Sequence, residues 1–250
     1  MSATTSPPAA SGGTQHADVS QEEFLHHMSA MQLQYRVAAP ASHASVSLYC
    51  LPAHLTVIAP STATGTGHPA VQTAQRSVAA PVSNTAAAHA SLTAAKLTAV
   101  GTPAPAAQAI AEALHEQHQR TLAFVTAQRD AMTQALAAAR EPNGTQDFRQ
   151  RMNALRDHSK AEHEAQIDAM FARFTAIGTA HPAARPVILH TSNKVGGFIA
   201  GVAAEAKHVM GTVKSAVSAG ASAVAKATEA VGHWASGAAQ SVGHFFKSLF

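Results

Sequence analysis

The side chains of this chain that could bind a metal are its histidines and the acidic residues near them. The sequence contains sixteen histidines. Glu112 and His115 have the Glu-x-x-His spacing that places two ligands on one helix face, and His118 follows one turn later. A di-iron bundle needs this motif twice, whereas the next segment offers only Asp157, His158, Glu162 and His163. We therefore interpret these residues as a solvated polar face and predict no metal or other cofactor.

Signatures of catalysis and of nucleic-acid binding are missing from the sequence. It contains no G-x-S-x-G motif, no P-loop and no Rossmann fingerprint. Arg149, Arg151 and Arg156 could contact phosphates, but Asp147 and Asp157 neutralise them, and few aromatic residues are present to stack on bases. The sequence therefore predicts a protein that is not an enzyme and has no nucleic-acid partner.

An eleven-residue period organises the C-terminal segment. Steps of eleven connect Val202, Val213 and Val224, and parallel series fall beside them on one nearly straight stripe. Lysines lie on the opposite face, which predicts an amphipathic helix of some fifty residues. The residues that we predict to contact lipid are Phe198, Val202, Val209, Val213, Val217, Val224, Val231, Trp234, Val242, Phe245, Phe246 and Leu249, with Lys207, Lys214, Lys226 and Lys247 on the charged side.

Glycine makes this predicted helix weak. Residues 194–250 contain eight glycines, and each costs about 1 kcal/mol relative to alanine inside a helix. The helix therefore needs support from whatever its apolar stripe touches. A shallow stripe of small residues opposite lysines suits reversible binding at a lipid–water interface. The partner predicted on these grounds is a membrane or lipid surface.

The stretch "EAKHVMGTVKSAVSAGASAVAKATEAV" resembles the imperfect 11-mer repeats of synucleins and of perilipin-type lipid-droplet proteins. The resemblance covers about 50 of the 250 residues. It implies a segment that is disordered in solution and forms a long helix on anionic membranes or droplets. The Ala-rich phasins, which coat polyester granules, are more loosely similar.

A second hypothesis places the same stripe inside a helical bundle. The stripe would then pack on Ile110, Leu122, Met152 and Phe174, on a helical partner protein, or on another copy of the chain. The protein would be an interaction or scaffold protein, and its Ser/Thr/Pro/Gln-rich N-terminal arm with a helical body resembles bacterial type III secreted effectors or translocators.

Periodicity and capping signals predict an all-α fold. Ile110, Leu114, Leu122, Val125, Met132 and Leu136 share one helical face, and a second periodic run follows the break at EPNGT. We predict a long antiparallel helical hairpin over 103–178, a linker over 179–193 and the amphipathic helix over 194–250. Residues 1–102 are predicted to be a largely disordered arm with one short helix near 21–34, because Ser20 and Glu23 have capping-box spacing.

The positions of charged residues and prolines bear on whether the chain has a signal peptide or a membrane-spanning helix. Its first twenty residues lack a basic region followed by an apolar run, so no signal peptide is expected. Prolines interrupt the uncharged stretch between Arg36 and Arg76, so no spanning helix is expected. The segment 194–250 has five lysines against Glu205 and Glu229. We expect a soluble or peripheral membrane protein whose excess positive charge lies at this end.

Overall fold

The computed structural model describes residues 19–37, 83–142 and 144–249, and these residues confirm the all-α fold. The described part of the chain contains no β-strand. Its elements are α1 (Gln21–Val37), α2 (Ser83–Ala99), α3 (Ala104–Ala138), α4 (Thr145–Ala180), a 3-10 turn (Pro182–Ala184), α5 (Arg185–Ala219) and α6 (Ala221–Ser248). The disorder predicted for residues 1–18 and 38–82 lies outside the described residues.

The long helical hairpin is formed by α3 and α4, which have 35 and 36 residues and pack along each other. α3 follows Pro103, and its missing N–H suits a helix start because the first turn has no internal acceptors for its donors. The apolar residues at helical spacing, among them Ile110, Met132, Met152 and Ile167, are fully buried. The hairpin thus extends two residues beyond the predicted end at 178.

The capping box predicted at the start of α1 is present. The Glu23 carboxylate accepts a hydrogen bond from the Ser20 main-chain N–H at 3.1 Å, and the Ser20 hydroxyl accepts one from the Glu23 N–H at 3.2 Å. These hydrogen bonds with Ser20 hold the pKa of Glu23 below its usual value, since they favour the ionised carboxylate. The helix extends to Val37, three residues past the predicted end, because Tyr35 packs against the bundle.

The prediction that the arm is largely disordered up to residue 102 is wrong for residues 83–99, which form helix α2. Alanine provides helix propensity there, and packing on α3 provides tertiary support that the sequence pattern did not reveal. Leu97 is fully buried in this contact. The helix ends in a Schellman motif: Gly101 has φ 92°, and the Thr102 N–H donates to the Leu97 carbonyl at 3.0 Å.

The prediction of a linker over 179–193 is also wrong, because most of these residues are helical. α4 continues to Ala180, and α5 already begins at Arg185. The two prolines of "AHPAARP" do not separate the helices by an open linker. Pro182 and Pro186 instead lie in the first turns of the 3-10 turn and of α5, where a missing N–H costs little.

The largest difference from the sequence expectation is that residues 194–250 do not form one continuous helix. α5 ends at Ala219, Gly220 reverses the chain, and α6 packs back along α5. Gly220 has φ 107° and ψ −177°, a conformation that is essentially restricted to glycine. The reversal lets both helices place their stripes on the α3–α4 hairpin, which is too short for a straight helix of this length.

The core of the bundle consists of two clusters at opposite ends. The turn-end cluster lies near the α3–α4 turn and joins the second half of α3, the first half of α4, most of α5 and α6. The α1-end cluster joins α1, α2, the first half of α3, the second half of α4 and the start of α5, and the last residues of α6 pack against it. Buried polar residues lie between the two clusters, including Gln117, Thr121, His163 and Gln166. α6 ends near the middle of the bundle, where Phe246 contacts His118.

Candidate lipid-binding face

The apolar residues predicted to contact lipid all lie on one side of α5 and α6, and in this structure that side faces the interior of the protein. Eight of them are buried, namely Phe198, Val202, Val209, Val213, Val224, Val231, Trp234 and Val242. Val217, Phe245, Phe246 and Leu249 are half-buried and pack against the two clusters. The one-sided pattern was therefore predicted correctly, while the surface that the pattern touches here is the helical hairpin.

The partner surface of this face is contributed by α3 and α4. It consists of Phe124, Val125, Met132 and Leu136 of α3 and Phe148, Met152 and Leu155 of α4. Of the hairpin residues named for the bundle hypothesis, Met152 belongs to this cluster and the partly buried Leu122 packs against it. Ile110 and Phe174 lie instead in the α1-end cluster, which includes the first half of α5 and has the last residues of α6 packed against it.

The predicted lysines lie away from the core. Lys207, Lys226 and Lys247 are exposed, and Lys214 is half-exposed. None of these four makes an ion pair within the described residues. The outer side of α5 and α6 is therefore positively charged and free to interact with anions.

Aromatic stacking holds the end of α6 against the bundle. The Phe245 ring lies parallel to Phe198 of α5 with centroids 4.0 Å apart. Phe246 meets both rings edge-on and lies 5.1 Å from the His118 ring of α3. Trp234, which lies earlier on α6, is also buried, and its indole N–H has no hydrogen-bond partner among the described residues. Such a buried donor costs about 1–3 kcal/mol.

Several glycines of α5 and α6 face open space. A methyl group at Gly211, Gly232, Gly237 or Gly243 would meet no atom within 4 Å. Packing therefore does not require glycine at these positions, yet each lowers helix stability by about 1 kcal/mol relative to alanine. Both helices depend on tertiary contacts for their stability.

His163 is a buried residue whose position was not recognised from the sequence. It lies on α4 in a small void between α3 and α5, lined by Thr121, Phe124 and Val202, and its Nε2 has no hydrogen-bond partner among the described residues. Burial lowers the pKa of His163, and the nearby Glu164 opposes this only in part. The sequence contains one signal for this burial: His163 lies four residues before Ile167, so both side chains share the apolar face of α4.

The residues considered for metal or enzyme chemistry do not assemble into a site in the part of the chain that is described. No group of three His, Cys, Asp or Glu side chains there is close enough to hold a metal ion. An open groove of about 410 Å³ between α3 and α4 is rimmed by Glu116, Arg120 and Arg173. Glu116 and Arg120 pair with each other at 2.6 Å. The groove presents no nucleophile paired with a base.

Comparison with known proteins provides no further identification of the face. Among the described helices, none combines the length and the apolar character that a membrane span requires. The chain matches no protein-family model, no curated protein and no solved structure. Any function must therefore be argued from the arrangement of α5 and α6.

Proposed function

We propose that this chain is a non-enzymatic protein that binds an anionic membrane or lipid surface reversibly through α5 and α6. The bundle is the closed form. In the open form, α5 and α6 leave the hairpin and place their apolar face on lipid. The observation that carries the proposal is the division of these helices into a buried apolar side and an outer side whose four predicted lysines make no ion pair with any described residue.

The stripe stays in register across the chain reversal, which supports a continuous open helix. Val202, Val213 and Val224 are spaced by eleven residues, and an ideal α-helix drifts by only about 20° over this interval. Gly220 lies between the second and third of these valines. If it adopted helical angles, α5 and α6 would join into one helix with a single apolar side and the lysines opposite.

Opening exchanges one apolar environment for another. The valines and alanines of the stripe lose contact with the hairpin and gain contact with acyl chains, so their burial changes little. Phe124, Met132, Phe148 and Met152 of the hairpin lose their cover and become a second apolar surface for the same lipid. Each lysine near an anionic surface adds about 1 kcal/mol, and this contribution is screened by salt.

A reversible cross-link tests whether lipid binding requires opening. The Arg140 guanidinium donates to the Thr228 hydroxyl at 3.1 Å, so these side chains tie the turn that follows α3 to α6. Arg140→Cys and Thr228→Cys, in a Cys50→Ser background, can be joined by a short bis-methanethiosulfonate reagent, which forms one disulfide with each thiol and releases sulfinate. Vesicles of phosphatidylcholine and phosphatidylserine in equal parts are then co-sedimented with each form.

We expect the uncross-linked protein to bind, the cross-linked protein to lose binding, and reduction to restore it. The two single-cysteine variants treated with the same reagent are the controls. Equal binding by the cross-linked form would reject opening, and no binding by any form would reject lipid binding itself. Circular dichroism alone cannot distinguish these cases, because α5 and α6 are already helical in the closed form.

The alternative is a helical interaction or scaffold protein in which α5 and α6 never leave the hairpin. The complete burial of Val231 and Val242 favours this alternative, since a permanent core needs no other partner. Its binding partners would be a helical protein or another copy of the chain, and the protein would belong with the secreted bacterial effectors or translocators that the sequence resembles. Absence of vesicle binding in every form is the result that it predicts.

A further inference from the structure

Helix α1 bridges α4 and α5 at the corner where these two helices meet. It packs on both of them and places Phe24 and Met28 in the α1-end cluster. The corner is also the point from which α5 would have to swing away from α4 if the bundle opened. The contacts of α1 therefore bear directly on whether α5 can move.

Two glycines make room for aromatic rings of α1. A methyl group on Gly196 of α5 would lie 2.5 Å from Cδ2 of Tyr35, and one on Gly178 of α4 would overlap the Phe24 ring. Distances this short do not occur between real atoms, so only glycine permits the rings to approach the helix backbones so closely. Unlike the open glycines of α5 and α6, these two are required by packing.

Polar contacts attach the C-terminal half of α1 to both helices. The Tyr35 hydroxyl donates to Asn193 Oδ1 of α5 at 2.6 Å. Toward α4, Gln32 Nε2 donates to Asp168 Oδ1 at 2.8 Å, and the Arg36 guanidinium lies 3.5 Å from Asp168 Oδ2. α1 is therefore joined to α5 and to α4 by separate side chains within one turn of helix.

Arg185, the first residue of α5, fixes the other end of α1. Its side chain is buried, donates from Nε to the Gly178 carbonyl at 3.1 Å and donates from Nη1 to the Val19 carbonyl at 2.9 Å. The guanidinium also lies over the Phe24 ring, 5.8 Å from its centroid. One cation thus connects the end of α4, the start of α5 and the entry to α1.

We propose that α1 is an autoinhibitory clasp that holds α5 on α4 and keeps the apolar face of α5 and α6 closed. This inference rests on the proposed lipid function for its consequence, but the clasp itself can be tested without lipid. Release of α1 would remove the contacts of Tyr35, Gln32 and Arg36 together and leave the α4–α5 corner held by the direct contacts of these two helices, including the hydrogen bond from Arg185 to the Gly178 carbonyl.

Two adjacent glycines provide a matched pair of variants. Gly196→Ala forces the Tyr35 ring out of its notch, whereas Gly197→Ala places its methyl 3.6 Å from the Tyr35 hydroxyl, an ordinary contact. Both changes improve the helix propensity of α5, so loss of protection in only one variant cannot come from a weaker helix. Tyr35→Ala removes the same contact from the α1 side and leaves α5 unchanged.

Hydrogen exchange of the full chain without lipid is measured first. In Gly196→Ala and Tyr35→Ala we expect the amides of α1 and of α5 to exchange at least about tenfold faster than in Gly197→Ala, with a vesicle Kd lower by a similar factor. Faster exchange in α1 alone would overturn the clasp, as would unchanged α1 exchange in both variants. Faster exchange in both helices without vesicle binding would leave the clasp standing and reject the lipid function.

Discussion

Gly220→Ala is expected to weaken the closed bundle and to strengthen lipid binding at the same time. Gly220 has φ 107° and ψ −177°, and a residue with a side chain is strained there by about 1–3 kcal/mol. In a straight helix through residue 220, alanine is favoured over glycine by about 1 kcal/mol. Both contributions shift the equilibrium in one direction, so the open form gains about 2–4 kcal/mol relative to the closed form.

This change corresponds to a factor of roughly thirty to several hundred in the opening equilibrium, since about 1.4 kcal/mol is tenfold. The apparent vesicle Kd falls by the same factor until the open form predominates. Co-sedimentation with phosphatidylserine-containing vesicles measures the Kd, and thermal unfolding without lipid measures the stability of the closed form. We expect the variant to have a lower Tm and a lower Kd.

Gly101→Ala is the matched control. Gly101 also has a positive φ, 92°, and open space around it, but it lies between α2 and α3, outside the moving helices. Its substitution lowers the Tm without lowering the vesicle Kd. The reasoning is refuted if Gly220→Ala lowers the Tm and leaves the Kd unchanged, because the strain at residue 220 would then be unrelated to lipid binding. Equal gains in affinity from both variants would point to general destabilisation.

Two further predictions concern charge. The first replaces three outer lysines, Lys207, Lys214 and Lys226, by glutamine. Each replacement should weaken vesicle binding by about 1 kcal/mol at low salt, have no effect on binding at high salt and leave the Tm unchanged. The pKa of His163 is lowered from 6.5 in the folded state, so the proton is bound more tightly by the unfolded chain, and stability is lost as pH falls below about 6.5. Denaturant titrations at several pH values should show a smaller loss of stability in His163→Leu, and an unchanged loss in His158→Leu, where the histidine is exposed. An equal dependence of the unfolding free energy on pH in both variants would contradict the burial argument.

The parts of the fold that could be predicted are those with local signals. The capping box at Ser20 and Glu23 specifies its own helix start, and the break at EPNGT separates two strongly periodic segments. Such signals depend on neighbours within a few residues. α2 lacks them, because it is an alanine-rich segment whose stability comes from Leu97 packing on a distant helix. Its existence could not be read from periodicity.

The reversal at Gly220 was hidden by the same regularity that revealed the stripe. The eleven-residue period continues through residue 220, so a straight helix and a hairpin of two helices place the same residues on one side. Glycine is frequent throughout the segment, and no proline or polar turn cluster marks position 220. The choice between the two forms depends on the length of the α3–α4 hairpin, which is a tertiary property.

The composition of the face was predictable from sequence, whereas its partner was not, because an apolar stripe fits any apolar surface. The hairpin and a lipid surface differ as partners in the hydrogen bonds and charge interactions that they offer to the polar groups of α5 and α6. Trp234 is an example: in the closed bundle its indole N–H is buried with no acceptor among the residues that the structure describes, whereas at a lipid–water interface an indole places its ring in the acyl region and its N–H in water. A ligand shifts a conformational equilibrium only through such differences in free energy between the two states. Under the proposed function, the indole and the outer lysines, which have no partner within the described residues, would favour the open form on lipid, and the packed rings of Phe198 and Phe245 would favour the closed form without lipid.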